Sequence, residues 1–235
     1  MIRILFVLLI LITIPRLVIA EGECVVLLHG LARISNSMGE LESKLQRAGY
    51  SVANVSYPSR RHGVSRLAED AVSRGLQQCR AKASDKIHFV THSLGGILVR
   101  AYLNERSPDG IGHVVMLGPP NQGSELVSRL TRIPGFGFVI GPAGVELDAR
   151  TGNVVPALGP VGFDLGIIAG RTNIFPLFSL FLPGENDTIV SVESTRVDGM
   201  NQHLVLPVTH TFMMRNNELI DHVIHYLKTG SFLPS

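Results

Sequence analysis

Ser93, Asp187 and His210 follow one another along this 235-residue chain, and their types suit an activated nucleophile. A serine hydroxyl is a poor nucleophile at neutral pH. It needs a base within hydrogen-bond reach, and the base needs an acid to orient it. Ser93 lies in Thr91-His-Ser-Leu-Gly-Gly96, between two apolar runs. Residues 87–90 read as a short buried strand, and residues 97–103 continue at helical spacing. A strand that turns sharply into a helix at a serine needs small residues two before and two after, so that strand and helix can approach. Gly95 meets that demand, whereas Thr91 is larger than the glycine the pattern usually holds.

Of the nine histidines, His210 is placed best. It follows the last apolar run directly, in a loop that can reach over Ser93. His203 and His113 begin strands and so belong at the opposite edge. His88 is inside the strand before Ser93, His62 precedes the serine, and His222 and His225 fall on the closing helix. Candidate acids between serine and base are Asp148, Asp164, Asp187, Glu185, Glu193 and Asp198. Asp187 is favoured because it sits in a Gly-Glu-Asn-Asp turn anchored by the apolar residues after it. Acyl transfer also builds charge on a carbonyl oxygen, which two backbone N–H groups must meet. Leu94 supplies one at a helix start, where the dipole helps. The turn His29-Gly30-Leu31 is assigned the other, through Leu31, with Gly30 permitting the turn and His29 packing under the site.

The elements that must position these residues alternate. Residues 24–30, 51–57, 87–90, 112–118, 164–170 and 203–208 read as strands. Residues 37–48 read as a helix opened by a Ser37/Glu40 capping box and stopped by Gly49. Residues 65–82, 97–103, 124–130 and 217–227 read as further helices. Strand–helix alternation favours a parallel sheet covered on both faces, with ligands beyond the carboxyl ends of its strands. His29-Gly30, Ser93 and Pro119-Pro-Asn121 all fall at such ends. Residues 131–163, rich in Gly and Pro, interrupt the pattern and read as a lid or an irregular insertion. Residues 173–183 are rich in Phe and Leu and suit either core packing or an acyl pocket.

Met1 to Ala20 carries one early cation, Arg3, an apolar run and a small-residue end. It reads as a secretory signal peptide cleaved after Ala20, leaving residues 21–235 as one domain; the alternative is an N-terminal membrane anchor. Cleavage removes Arg3 and Arg16 and no acid, bringing the formal charge of +2 to zero. A neutral chain argues against nucleic acid as a partner. Two cysteines in an exported chain suggest a Cys24–Cys79 disulfide, the alternative being two buried thiols. No His, Asp or Cys cluster has metal-ligand spacing.

Val26-Leu-Leu-His-Gly-Leu31, Phe89-Val-Thr-His-Ser-Leu-Gly-Gly96, Gly118-Pro-Pro-Asn-Gln-Gly-Ser124, Glu185-Asn-Asp-Thr-Ile-Val-Ser-Val-Glu-Ser-Thr195 and Thr209-His-Thr-Phe-Met213 together resemble small bacterial α/β-hydrolases of the triacylglycerol lipase and esterase kind. The resemblance covers nearly all of residues 21–235 in order. It implies a mostly parallel sheet flanked by helices, in a compact form lacking the first two strands of the larger fold. It implies carboxylic-ester hydrolysis through an acyl-enzyme without a cofactor. Ser93 matches the nucleophile, Asp187 the acid, His210 the base, and Leu31 and Leu94 the oxyanion donors, with His29, Gly30, His92 and Gly95 in the supporting turns. It implies an ester or lipid as substrate, with transient contact to a lipid surface. Thioester cleavage or acyl transfer by the same residues is the alternative chemistry. A hydrolase-fold binding protein without activity is the alternative class.

Overall fold

The structure is a computed structural model and describes residues 22–150, 154–175, 177, 181–182 and 184–234. The signal-peptide expectation for residues 1–20 lies outside the described residues, as does part of the Phe/Leu-rich segment (176, 178–180 and 183).

Six described strands, β1 (Glu23–Leu28), β2 (Ser51–Val55), β3 (Lys86–His92), β4 (Ile111–Leu117), β5 (Leu165–Gly170) and β6 (Gln202–Leu206), form one sheet in the order β2-β1-β3-β4-β5-β6. Every pairing is parallel. The residue types explain why. Along β1, Cys24, Val26 and Leu28 face one apolar layer and Val25 and Leu27 the other, and all five are fully buried. A strand apolar on both faces is stable only when helices cover both. Helices α2 (Val64–Arg80) and α3 (Leu94–Glu105) cover the first face. The second is covered by α1 (Gly39–Arg47) and the closing helix α7 (Asn217–Thr229). This is the α/β-hydrolase architecture in its compact, all-parallel form.

Three local expectations need correction. The Ser37/Glu40 capping box does not form. The α1 N-cap is Met38, without a side-chain cap, and Ser37 Oγ instead donates to the Ile34 carbonyl at 2.8 Å inside a 3-10 turn, Ser35–Met38. The hydroxyl found a nearer carbonyl than the helix amides. The second strand ends at Val55, and Tyr57 instead gives its amide to His29 Nε2. Residues 131–163 are not irregular throughout. They hold α5 (Phe136–Glu146), kinked at Gly141-Pro142, and α6 (Val154–Ala157), after α4 (Glu125–Leu130). The Gly-rich α5 is apolar from Phe136 to Val145, with Glu146 alone at its end, and carries no polar stripe for periodicity to detect.

Cys24 and Cys79 are joined by a disulfide, with Cα atoms 5.6 Å apart. It ties the start of β1 to the end of α2. No helix among the described residues is long and apolar enough to cross a membrane.

Candidate active site

The chain leaves β1 for β2 on one side and later returns to lay β3 on the other. The crevice at the carboxyl ends of β1 and β3 is therefore the topological switch point, where doubly wound sheets bind ligands. Ser93 sits there. Its backbone has φ 53° and ψ −121°, a region costly for a residue with a Cβ, by about 1–3 kcal/mol. Two features hold it. The Ser93 amide donates to the Leu117 carbonyl at 2.9 Å, extending the β3–β4 ladder past its end. Gly95 lets α3 descend onto β1, since a Cβ there would come 2.6 Å from the Leu28 carbonyl oxygen. Thr91 does not prevent the turn: it is fully buried in β3, opposite Leu28 and Met116.

Asp187 and His210 meet at the carboxyl ends of β5 and β6. His210 Nδ1 donates to Asp187 Oδ2 at 2.7 Å, and the His210 amide donates to the Asp187 carbonyl at 3.0 Å. Asp187 Oδ1 accepts from the amides of Ile189 (3.0 Å) and Val190 (2.8 Å). Asp187 is fully buried and His210 is 6 % exposed. The carboxylate is thus fixed by three donors. Asn186 and Ser191 close this turn through an isolated antiparallel bridge. Strain gathers here too. Among the described residues four non-glycines have positive φ, and three of them are Ala32 beside Leu31, Ser93 itself, and Thr188 beside Asp187. Backbone strain that persists in this way concentrates at working sites.

His92 connects the parts. Its Nε2 donates to the His210 carbonyl at 3.0 Å, and the two rings lie 4.6 Å apart. A Cβ at Gly30 would come 2.8 Å from His92 Nδ1, so glycine is required for the first turn to pass. Burial, and next the neighbouring His210, hold His92 well below the usual imidazole range, so it stays neutral. The Ser93 hydroxyl makes no hydrogen bond to a described residue, so no Ser93–His210 bond is present in the free chain. Catalytic contacts of this kind often tighten only with substrate.

The first turn is braced by two residues that sequence reasoning missed. Tyr57 stacks on His29 with centroids 4.1 Å apart, donates its amide to His29 Nε2 at 3.2 Å, and donates its hydroxyl to the His29 carbonyl. Ser59 Oγ accepts from the Ala32 amide at 3.0 Å. With Nε2 accepting, His29 carries its proton on Nδ1, which donates to the Gly30 carbonyl at 2.9 Å. Burial lowers its pKa. Packing under the site is therefore what His29 does. No local sequence signal marks Tyr57 or Ser59, since Tyr57 reads as the end of a strand and Ser59 lies in the loop past Pro58. Leu94 opens α3, and the first amides of a helix have no partner within it.

The other candidate acids lie elsewhere. Asp148 is buried and binds Ser128, Thr131 and Arg150, bracing the α4 region. Asp164 precedes β5 at the opposite edge, with His113 and Tyr226. Glu185 and Glu193 pair with Arg171 and Arg196. His203 is bound by Thr195 Oγ1 at 2.8 Å. Among the described residues no His, Cys, Asp and Glu group is arranged to hold a metal ion.

Comparisons with known proteins agree with this architecture. The structure is similar to the mature lipase BlEst2 of Bacillus licheniformis (TM-score 0.65, 16 % identity, covering 88 % of this chain and 91 % of that one). It is also similar to the phospholipase PlaB of Legionella pneumophila (TM-score 0.67, 17 % identity, 89 % of this chain), of which it spans 60 %. A third similar structure is an esterase from Exiguobacterium antarcticum (TM-score 0.59, 15 % identity, covering 88 % and 92 %). At these identities the likeness speaks for the fold. No curated protein matches the chain in sequence. The palmitoyl protein thioesterase family matches residues 24–150, a stretch that includes Ser93 and the His29 turn and ends before Asp187 and His210. With more than half of its length matched, the chain belongs to the palmitoyl protein thioesterase family, on an α/β-hydrolase fold of the lipase and esterase kind.

Proposed function

We propose that this protein is an exported serine hydrolase that cleaves carboxylic esters of lipid character. Ser93 Oγ attacks the acyl carbon while His210 Nε2 takes its proton. The Nδ1–H bond to Asp187 holds the ring in the tautomer that leaves Nε2 free and stabilises the imidazolium that forms. The amides of Leu94 and Leu31 receive the oxyanion. The leaving alcohol takes the proton back from Nε2. Water then attacks the acyl-enzyme by the same route and releases the acid and Ser93.

The single observation that carries the reading is the buried 2.7 Å His210–Asp187 pair at the same sheet edge as a serine held at positive φ. A disulfide is at home in an oxidising compartment, which supports export. Ser93→Ala is expected to abolish turnover of a short nitrophenyl ester with the circular dichroism spectrum unchanged. Full activity in that variant rejects the assignment.

The family match favours a second reading, cleavage of a long-chain thioester by the same groups. Thiolates leave more readily than alkoxides, so the site needs no further residue for it. Competing a palmitoyl thioester against the matching oxyester decides between them: the thioester reading is rejected if kcat/KM favours the oxyester.

A further inference from the structure

The rim of the candidate site is apolar and cationic. Two of the backbone arms that carry proposed catalytic groups also carry an exposed apolar side chain: Ile34 (60 % exposed) beyond Leu31, and Phe212 (53 %) beyond His210. Helix α5 adds Phe138, 95 % exposed, and Val139. These positions adjoin one another. Arg33 Nη2 donates to the Thr211 carbonyl at 3.5 Å, tying the Ile34 turn to the Phe212 loop. Ile34, Arg33, Arg60, Arg61 and Phe138 line one open groove of about 750 Å³. The Ala143 amide donates to the His62 carbonyl at 3.2 Å, seating α5 on the same surface. Large exposed apolar side chains gathered in one place mark an interaction surface rather than ordinary surface scatter.

Charge decides the partner. Residues 30–39, 51–68 and 126–145 contain six arginines, Arg33, Arg60, Arg61, Arg66, Arg129 and Arg132, and no carboxylate. Elsewhere five of the nine described arginines are paired, Arg74 with Asp70, Arg106 with Glu69, Arg150 with Asp148, Arg171 with Glu185 and Arg196 with Glu193, while Arg47, Arg80, Arg100 and Arg215 stand apart from one another along the chain. Arg33, Arg60, Arg61 and Arg132 have no carboxylate within 4 Å among the described residues. A chain with balanced charge overall thus gathers unpaired cations around an apolar rim. That combination fits the interface of an anionic bilayer, where apolar side chains enter the acyl boundary and arginines meet phosphates.

We propose that this rim docks the protein on anionic phospholipid membranes, so that the candidate site faces a lipid-borne acyl group. The purpose rests on the hydrolase reading, whereas the binding does not. The test uses the Ser93→Ala protein, residues 21–235, so that vesicle lipids stay intact. It is co-sedimented with vesicles of phosphatidylcholine alone and of phosphatidylcholine with phosphatidylglycerol, at low and high salt. Binding to the anionic vesicles is expected to be roughly 10²-fold or more tighter, and to fall with salt. Phe138→Asp and the pair Arg60→Glu/Arg61→Glu should each weaken it about tenfold or more. In a chain with Ser93 intact, those substitutions leave turnover of a soluble short ester unchanged. Equal binding to both vesicle types, no binding to either, or variants that bind like the parent overturn the proposal. Absence of vesicle binding by the unsubstituted rim, in a protein whose Ser93 form turns over the ester, rejects the docking face alone. Vesicle binding in a protein with no turnover rejects the hydrolase reading alone.

Discussion

The two edges of the sheet both carry histidines against carboxylates, yet they are built differently. At the carboxyl edge His210 meets Asp187 at 2.7 Å, and that carboxylate takes two further backbone donors. At the amino edge His88 meets Glu23 at 3.2 Å and His113 meets Asp164 at 3.2 Å, with Tyr226 Oη donating to Asp164 at 2.7 Å. The amino-edge rings stack, His88 on His113 at 5.4 Å, and the His113 amide donates to His88 Nδ1 at 2.9 Å. No serine stands on a strained turn beside them. Among the described residues, three of the four non-glycines at positive φ lie at the carboxyl edge, and Ala83 lies at the other. A histidine–carboxylate pair is therefore not what distinguishes the candidate site. The strained elbow, the helix start beside it and the switch point between β1 and β3 do.

The largest test of that contrast exchanges a carboxylate at each edge. Asp187→Asn should lower kcat about 10⁴-fold, because the amide no longer selects the Nδ1–H tautomer of His210. Asp164→Asn should leave kcat within about twofold, since its partners His113 and Tyr226 only pack. Similar losses in both variants would erase the distinction.

The amino edge should instead reveal itself in stability. Replacing Cys24 and Cys79 by alanine frees a loop with a sequence separation of 55 residues and should cost about 4 kcal/mol in denaturant unfolding, with ester turnover retained wherever the chain stays folded. Acid should act there as well. Burial lowers His88 to about 4, against the nearby Glu23 carboxylate, which favours the charged form. The unfolded chain, with an ordinary imidazole near 6.5, binds the proton first as pH falls. Stability is then full above about pH 6.5, declines as pH drops toward 4, and loses nothing further from this group below that. The loss should be on the order of 3 kcal/mol, and His88→Asn should flatten that slope. An unchanged slope in the variant places the acid sensitivity elsewhere.

The smallest effect lies under the first turn. Tyr57→Phe removes the hydroxyl that donates to the His29 carbonyl. It should cost about 1 kcal/mol of stability and lower kcat several-fold with KM nearly unchanged, because the turn carrying Leu31 loosens. A change confined to KM would assign Tyr57 to substrate contact instead.

Much of this molecule is legible in one dimension because its signals are local. Runs such as Val25-Val-Leu-Leu28 are buried on both faces and admit only a covered parallel strand. Ser93 declares itself through its flanking strand, helix and Gly95, and His210 through its place after the last strand. The false capping box shows the limit of local signals: Ser37 had two acceptable partners, and the nearer carbonyl won. The kinked α5, apolar up to Glu146, gave periodicity nothing to read.

What the sequence by itself determined is the order of parts: six strands in a parallel frame, a serine at a strand-to-helix turn, and Asp187 and His210 after it. Only the tertiary structure decided which carboxylate reaches the base, that Tyr57 and Ser59 brace the turn carrying Leu31, and that unpaired arginines and exposed apolar side chains share one rim. Those contacts join residues far apart in sequence, such as His92 with His210 and Arg33 with Thr211. The chain must close before their partners exist, so no local pattern can announce them.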